Sequence, residues 1–213
     1  MDSQVIPMLS GDATEQTPPD LPSYLFNERI VYIGAPLVPS VTELVLAELL
    51  YLQYQDSTKP VHVYINSTGT NKDGAKFAYD TEAFSIYDTM RYVKPPIHTL
   101  CIGTAFGEAA FLLSSGKPGM RAALPSSSIM LKQPIDKYQG QASDIEIKRR
   151  ELRTIKSQMI DILSSTTGRD HATLEQDINR PRYLTPYEAV EFGVIDQVLE
   201  GKEGQAIQQT NEL

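Results

Sequence analysis

The feature that most constrains the fold is a regular alternation of short apolar runs with helical patterns in the first half of the chain. Three runs rich in β-branched residues have the length and composition of buried strands. They are ERIVYIG at 28–34, VHVYIN at 61–66 and HTLCIG at 98–103. Segments with apolar residues at helical spacing follow them, at 40–55, 81–93 and 107–116. Strands and helices that alternate at this spacing form parallel βαβ units, so we predict an α/β fold.

A longer helix is predicted from about 143 to 166. Its apolar residues recur at helical spacing until Gly168, and glycine is common just after the end of a helix. At about 1.5 Å per residue this helix measures on the order of 35 Å, more than the interior of such a domain needs. We therefore expect part of it to project into a partner through Ile145, Leu152, Ile155 and Met159. The alternative is that its charged residues, KRRELRTIK, form an ordinary solvated face.

Serine and glutamate residues with the spacing of a capping box mark two of the predicted helix starts. Ser40 precedes Glu43 by three positions, and Ser143 precedes Glu146 by the same interval. In a capping box the serine side chain and the glutamate side chain bond to each other's backbone N–H groups. The spacing predicts helices that begin just after Ser40 and Ser143.

The two ends of the chain differ in composition from its middle. Residues 1–22 are polar and punctuated by proline, and residues 200–213 are equally polar. We expect 1–22 to be a mobile N-terminal arm or axial loop and 200–213 to be a polar C-terminal tail. Residues 23–199 then form a single domain, since 213 residues with 41% hydrophobic content suffice for one core.

Charge and residue usage exclude several classes of protein. Acidic residues outnumber basic ones by 27 to 19, and the net charge of −8 argues against nucleic acid as the main partner. The apolar runs are too short to span a bilayer, so no membrane association is expected. The first basic residue is Arg29, which is unlike a basic secretion signal or a transit peptide and favours a cytoplasmic location.

Cysteine and histidine offer no metal-binding pattern. The one cysteine, Cys101, has no partner for an internal disulfide. His62, His98 and His171 are not spaced like metal ligands. The glycines do not follow a phosphate-binding pattern either. We therefore expect neither a metal nor another cofactor.

The sequence from about Leu25 to Leu199 resembles the proteolytic subunits of the Clp protease. The resemblance is carried by the motifs NERIVYIG, HVYINS, FLLSSGKPGMR, ALPSSSIMLKQP and YLTPYEAVEFGVIDQVL and by the long ASDIEIKRRELRTIKSQM segment. It implies the ClpP/crotonase-like fold, a spiral of βαβ units from which the long helix projects as a handle.

The resemblance breaks at the three residues that act in catalysis. Family members have a serine in GQAASMGAFLL, a histidine in MIHQP and an aspartate directly before the R-F-L segment. The matching positions here hold Gly107, Lys132 and Pro181. A serine hydrolase needs an oxygen nucleophile, a base that takes its proton and a carboxylate that orients the base. None of the three residues supplies its role, so we expect no catalytic residue.

The positions that stabilise the oxyanion are changed as well. Where the family has SPGG this chain has STGT, so Thr70 replaces the second glycine, and Glu108 follows the nucleophile position. A carboxylate beside a developing oxyanion raises the barrier, whereas an acidic residue suits the first turn of a helix. We expect Glu108 and Lys132 to pair where serine and histidine would meet. An insertion at 70–80, TNKDGAKFAYD, either covers the altered cleft or forms an ordinary surface loop.

Family members also bind a hexameric ATPase through apolar pockets that are partly lined by aromatic residues. The matching positions hold Tyr51, His62, Tyr64 and Tyr92, with Ala122 where an aromatic residue is common. The resemblance therefore implies a partly retained docking pocket for a Clp ATPase. The alternative is that these tyrosines cover the ordinary surface of the sheet.

The pattern as a whole resembles the ClpR type, the non-catalytic ClpP-like subunits of cyanobacteria and plastids. The resemblance implies a place in seven-membered rings beside active ClpP paralogues, with two rings stacked through their handle helices around a degradation chamber. It also implies the plastid stroma as the location in a photosynthetic eukaryote. Two other functions stay open: an active hydrolase that uses another nucleophile on the same fold, and a crotonase-like protein that binds or converts acyl-CoA.

Overall fold

The computed structural model of the chain describes residues 21–72, 75–76 and 78–201. The predicted arm at 1–22 lies outside the described residues except for Leu21 and Pro22. Residues 202–213 of the predicted tail and residues 73, 74 and 77 of the predicted insertion lie outside them as well.

The described residues form nine strands and seven helices, and their order confirms the predicted α/β alternation. The strands are β1 (Ile30–Ile33), β2 (Val61–Ser67), β3 (Asn71–Lys72), β4 (Ala75–Lys76), β5 (Ile97–Phe106), β6 (Arg121–Ala123), β7 (Ser128–Leu131), β8 (Arg182–Leu184) and β9 (Gln197–Val198). The helices are α1 (Leu21–Asn27), α2 (Pro39–Gln55), α3 (Thr81–Tyr92), α4 (Glu108–Ser114), α5 (Ala142–Thr167), α6 (His171–Ile178) and α7 (Pro186–Phe192). The sequence patterns do not predict the short helix α1.

The main sheet is parallel except at one strand, as the βαβ pattern predicts. Its strand order is β1-β2-β5-β6-β9, β7 also pairs with β5, and only β8 runs antiparallel, against β7. Successive residues of β2 are alternately buried and half-buried, because side chains of a strand point to opposite faces. The buried face joins the helices in one core, which contains Val31 of β1, Val63 of β2, Leu49 of α2 and Ile86 of α3.

The ten-residue strand β5 produces the spiral. Its residues Thr99–Cys101 pair with β6, and its last residues, Thr104–Phe106, pair with β7. Two successive strands therefore lie along the same edge of β5, and the chain passes from one layer to the next. Because β5 ends just before Gly107, this arrangement places β7 beside the start of α4.

The helix α5 is the predicted handle. It runs over 26 residues and ends at Gly168, whose φ of 74° is the left-handed conformation typical of a residue that terminates a helix. Its buried residues, Met159, Ile160 and Leu163, all lie in its second half. The residues of its first half are exposed or half-buried, so this half extends along the outside of the core.

Both predicted capping boxes are wrong. α2 begins at Pro39 and α5 begins at Ala142, so Ser40 and Ser143 lie inside their helices, and neither helix has a side-chain cap. Proline at the first helical position already has the φ that a helix requires, which starts α2 one residue earlier. In α5, Glu146 forms ion pairs with arginines one turn further on instead of reaching back to the helix start.

Arg121 of β6 connects the sheet to the handle. Its guanidinium donates to both carboxylate oxygens of Asp196, which precedes β9, at 2.7 and 3.0 Å. It also donates to the carbonyl oxygens of Ser114 in α4 and Thr166 in α5. Bidentate pairs of this kind are strong and geometrically specific, so Arg121 fixes the C-terminal end of α5 against the core.

Candidate functional site

The structure brings Gly107, Lys132 and Pro181 together. Gly107 forms the turn between β5 and α4, and its N–H donates to the carbonyl oxygen of Met130 in β7 at 2.7 Å. Lys132 follows β7 directly. The antiparallel register of β7 and β8 pairs Leu131, which precedes Lys132, with Arg182, which follows Pro181. The three positions that match the catalytic residues of the family therefore adjoin at one end of the spiral.

Gly107 has a backbone conformation that favours glycine, and the space beside it is filled. Its φ is 57° and its ψ is −112°, a region that residues with a Cβ rarely adopt. A Cβ at this position would overlap Cε of Lys132 and would lie 3.3 Å from Nζ. The lysine side chain thus lies where the side chain of a nucleophile would begin.

Glu108 and Lys132 form a buried ion pair, which confirms the predicted pairing. Lys132 Nζ lies 3.9 Å from Glu108 Oε2, and the two side chains are 9% and 1% exposed. Each charge is costly to bury alone, so each partner compensates the charge of the other. We therefore expect the loss of one partner to be more damaging than the loss of both.

The Glu108 carboxylate also binds the backbone of the STGT segment. The N–H of Thr70 donates to Glu108 Oε2 at 3.0 Å, and a Cβ on Gly69, whose φ is 72°, would overlap the same oxygen. Thr70 is one of the positions that the sequence assigns to oxyanion stabilisation, and its N–H is held here by a side chain of the chain itself. Sequence reasoning missed this contact, because the two residues are 38 positions apart and no local pattern links them.

The insertion at 70–80 begins at this site. β3 and β4 pair within it as a short antiparallel hairpin. Its last residues contact the body of the protein, since Asp80 is buried and the Tyr79 ring lies 5.9 Å from Nζ of Lys148 in α5. The first and the last residues of the insertion therefore lie at the Glu108 carboxylate and beside the first half of the handle helix, respectively.

Four other nucleophilic side chains, those of three serines and of Cys101, lie in settings that do not activate them. The hydroxyls of Ser114, Ser115 and Ser127 each donate to a backbone carbonyl of their own turn. Cys101 is fully buried, and burial raises the pKa of its thiol. An enzyme nucleophile requires activation by a neighbouring base or by a lowered pKa. A hydroxyl that donates to a backbone carbonyl, or a buried thiol with a raised pKa, has neither.

A group of charged residues that the sequence did not predict lies around Phe192, and one of its members, Arg182, directly follows Pro181 in the chain. The guanidinium groups of Arg169 and Arg182 lie 4.0 and 5.1 Å from the centroid of the Phe192 ring. Both arginines also pair with Asp177. Cations over an aromatic face are attracted by its negative potential, so this group fixes the segment that follows Pro181.

The predicted docking residues are divided between the sheet and two helices. His62 and Tyr64 lie on the same face of β2, and both are half-buried. Tyr51 of α2 and Tyr92 at the end of α3 are 54% and 73% exposed. Ala122 is buried in β6. Of these five residues, the two most exposed, Tyr51 and Tyr92, lie on the helices.

His62 and His98 are neighbours across β2 and β5 on this face. Their rings meet edge to face, with centroids 5.0 Å apart. Burial lowers the pKa of His62. Burial, and after it the charges of His62 and Lys117, lower the pKa of His98. Both rings therefore favour the neutral form at neutral pH, which keeps this part of the face uncharged.

Three of the four residues predicted to meet a second ring are accessible. Ile145 is 45% exposed, and Leu152 and Ile155 are half-buried. Met159 is buried in the core of the chain itself, so the prediction is wrong at this position. The physical reason is that α5 lies against the core from Met159 onward, and its apolar residues there are already covered.

The described residues contain neither a metal-binding cluster nor a helix that could span a membrane. Within 21–72, 75–76 and 78–201, no cluster of three or more histidine, cysteine, aspartate or glutamate side chains has an arrangement that could hold a metal ion. In the same part of the chain, no helix has both the length and the apolar character that crossing a bilayer requires.

The fold and the site together define a class of protein: an α/β spiral of βαβ units with a buried ion pair, Glu108–Lys132, beside the turn between β5 and α4. The family model described as Clp protease matches residues 13–202. The chain belongs to the Clp protease family, and the resemblance seen in its sequence is confirmed.

Relatives in this family carry names that indicate ClpP-related proteins. The chain is 59% identical over 202 residues to the ATP-dependent Clp protease proteolytic subunit-related protein 4, chloroplastic, of Arabidopsis thaliana, with 95% of this chain and 66% of that protein covered. The chain thus spans just under two thirds of that relative. It is 50% identical to a putative ATP-dependent Clp protease proteolytic subunit-like protein of Synechococcus elongatus, with 90% of each covered. It is 47% identical to the ATP-dependent Clp protease proteolytic subunit 2 of Gloeobacter violaceus, with 90% of this chain and 85% of that protein covered.

Proposed function

We propose that the chain is a catalytically inactive subunit that completes the heptameric rings of a mixed, ATP-dependent Clp protease core beside active ClpP paralogues. The observation that carries this proposal is the buried Glu108–Lys132 pair at the site of catalysis. Peptide hydrolysis needs an activated nucleophile and a base at this place. Gly107 has no side chain, and the Lys132 stem occupies the space that one would need.

In this proposal the role of the subunit is architectural. The handle helix presents Ile145, Leu152 and Ile155 before it reaches the core at Met159, and the handle of a facing ring would cover them there. Burial of apolar surface is favourable by about 25 cal/mol per Å², so each covered side chain would stabilise the stacking of two rings. The resulting tetradecamer would enclose a chamber in which every copy of this chain lowers the number of working sites.

A Clp ATPase is the second partner that we propose, and the candidate docking surface comprises Tyr51, His62, Tyr64 and Tyr92. The exposed rings of Tyr51 and Tyr92 offer large apolar area at a low entropic cost. The neutral state favoured by His62 lets an apolar segment of the ATPase cover the sheet face without burying a charge. The net charge of −8 weighs against nucleic acid as an alternative partner.

The two other functions that the sequence left open find less support. An active hydrolase would need a different nucleophile, but the buried serine hydroxyls near α4 are bonded to backbone carbonyls. A crotonase-like acyl-CoA protein would need free N–H donors for the thioester oxygen, whereas the Thr70 N–H already binds Glu108. The inactive subunit requires neither group.

The names of the relatives support a location as well. Two of the relatives described above come from cyanobacteria, and the Arabidopsis relative is named as chloroplastic. We propose the plastid stroma as the location in a photosynthetic eukaryote and the cytoplasm in a cyanobacterium.

Native mass spectrometry of the chain, co-expressed with a serine-containing proteolytic subunit of the same organism, tests the proposal. We expect tetradecamers that contain both chains, with peptide cleavage per complex proportional to the number of serine-containing subunits. Ile145→Asp places a charge on the exposed side of α5 and should convert tetradecamers into single rings. Tetradecamers of the active subunit alone, with this chain excluded from them, would contradict the proposal.

A further inference from the structure

We infer that the chain has kept a carboxylate-binding site at the position of catalysis and that its own Glu108 fills this site. Three contacts define it. The Thr70 N–H donates to Oε2 at 3.0 Å, the Lys132 ammonium lies 3.9 Å from the same oxygen, and Gly69 leaves the space in which that oxygen lies. The inference concerns the chain by itself and holds whether or not the proposed assembly exists.

The chemistry of these groups is that of an anion site. A backbone N–H that meets a carboxylate makes a charge-assisted hydrogen bond, and a nearby ammonium supplies the balancing charge. Glu108 is 1% exposed and Lys132 is 9% exposed, so water screens the attraction weakly. Thr70 is fully buried as well. A carboxylate in this place is held by the protein as a ligand would be.

Two atoms of the site lack a hydrogen bond. Among the described residues, Glu108 Oε1 and Thr70 Oγ1 are buried side-chain oxygens without a partner. Buried polar atoms are normally bonded, and an exception calls for an explanation. The two unbonded oxygens are explained if the site is shaped to accept a separate ligand. A carboxylate that is tethered to the backbone cannot adopt every orientation that a free carboxylate can, so it leaves some hydrogen bonds of the site unmade. A residue selected only for packing or for a helix end would more readily satisfy both oxygens.

The variant Glu108→Ala converts this inference into a ligand-binding experiment. The atoms that it removes, Cγ and the carboxyl group, are together those of acetate. We expect Glu108→Ala to melt below the wild type, because Lys132 loses its counter-ion. Added acetate should then bind in the vacated space and raise the melting temperature in a saturable way. At ten times its dissociation constant the expected gain is roughly 3–6 °C.

Ligand controls separate binding at this site from a general effect of salt. Acetate is compared with chloride at equal ionic strength and with acetamide, which has nearly the same shape but no charge. Butyrate tests the size of the space. We expect stabilisation by acetate, less by butyrate, and none by acetamide or chloride.

Protein controls test which groups hold the ligand. In Glu108→Ala/Lys132→Met the cation is gone, so acetate should no longer stabilise. Glu188→Ala removes another glutamate, one that bonds the backbone at the exposed start of α7, and acetate should not restore its stability. The wild type, whose site is filled, should also show no saturable response.

The inference is overturned if acetate shifts Glu108→Ala no more than it shifts the wild type or Glu188→Ala, or if the double variant responds equally well. If Glu108→Ala does not fold in chloride, refolding from urea in acetate and in chloride provides the same comparison. A higher yield of native protein in acetate supports the inference. An equal yield in the two salts, including none in either, contradicts it.

Discussion

Replacing Gly107 by serine restores the family's nucleophile in name, and we expect it to destabilise the protein without creating activity. Two costs add at this position. The backbone, with φ at 57° and ψ at −112°, is strained for any residue with a Cβ, which costs about 1–3 kcal/mol. The new Cβ would also overlap Cε of Lys132, so the lysine stem must move away from its position beside Glu108. For a chain of this size the backbone cost alone should lower the melting temperature by roughly 2–12 °C, and the overlap should lower it further.

Glycine-to-alanine variants separate the two costs. Gly119 also has a positive φ, 85°, but a Cβ there would meet nothing within 4 Å. Gly119→Ala therefore measures the cost of a Cβ at a positive φ without an overlap, and Gly107→Ala should be clearly more destabilising. In the background Lys132→Ala/Glu108→Gln, which removes the lysine stem without leaving a buried charge unpaired, the cost of Gly107→Ala should decrease.

Urea unfolding at pH 7 measures these free energies, and a fluorophosphonate probe reports on any activity of Gly107→Ser. Two results would refute the reasoning: a Gly107→Ala variant no less stable than Gly119→Ala, or a Gly107→Ser variant that reacts stoichiometrically with the probe. Either would mean that the lysine does not occupy the space of the nucleophile.

Three further predictions concern the body of the fold. Burial alone would raise the pKa of Asp196, but hydrogen bonds from Arg121 and the backbone outweigh it and hold the pKa below its ordinary value of 3.8. Asp196→Asn should therefore lower the free energy of unfolding by about 3 kcal/mol at pH 7. In urea melts the wild type should lose stability as the pH falls from about 4 through the lowered pKa of Asp196, and the variant should lose less over the same range. The pKa values of His62 and His98 are lower in the folded chain than their ordinary value of 6.5. As the pH falls below 6.5, the unfolded chain takes up protons at these histidines before the folded chain does. Their contribution to the free energy of unfolding is therefore greatest above pH 6.5 and decreases until the pH has passed the folded-state pKa values. His62→Phe/His98→Phe should remove most of the decrease between pH 7 and 5, and an unchanged pH profile would contradict this explanation. Thr185→Ala removes the observed capping box of α7 and should lower the free energy of unfolding by about 1 kcal/mol in thermal or urea unfolding. A decrease smaller than a few tenths of a kcal/mol would show that the cap is not needed.

The sequence predicts the strands and the long helix well because their signals are local. A run such as VHVYIN can bury only one side of a strand, and the structure extends it by a single residue to Ser67. The handle was expected at about 143–166 and spans Ala142–Thr167, since its apolar period and Gly168 both lie in the segment itself. Periodicity and a terminating glycine are sufficient for such elements.

The helix starts were predicted less well because two local signals compete there. Ser40 and Glu43 have the spacing of a capping box, yet Pro39 supplies a backbone conformation that starts the helix earlier. In α7 the same kind of pattern, Thr185 with Glu188, does form the box, with proline directly after the threonine. Spacing alone therefore does not identify a cap, and the residues next to it decide.

The site was predictable in its charges but not in its geometry. Opposite charges at Glu108 and Lys132, on positions that the resemblance brings together, suffice to predict their pairing. The contact of Glu108 with the Thr70 N–H and the passage of the lysine stem over Gly107 depend on the spiral, which joins segments far apart in the chain. No pattern within a single segment carries that information.

We propose that this chain keeps the fold of a peptidase while an ion pair fills its catalytic position. The most direct test is to incubate the purified full-length chain, free of any serine-containing paralogue, with a fluorophosphonate probe and with fluorogenic peptides. We predict no labelling and no turnover above a heat-denatured control at any pH between 6 and 9. Stoichiometric labelling, or peptide cleavage that scales with the concentration of this chain alone, would contradict the claim.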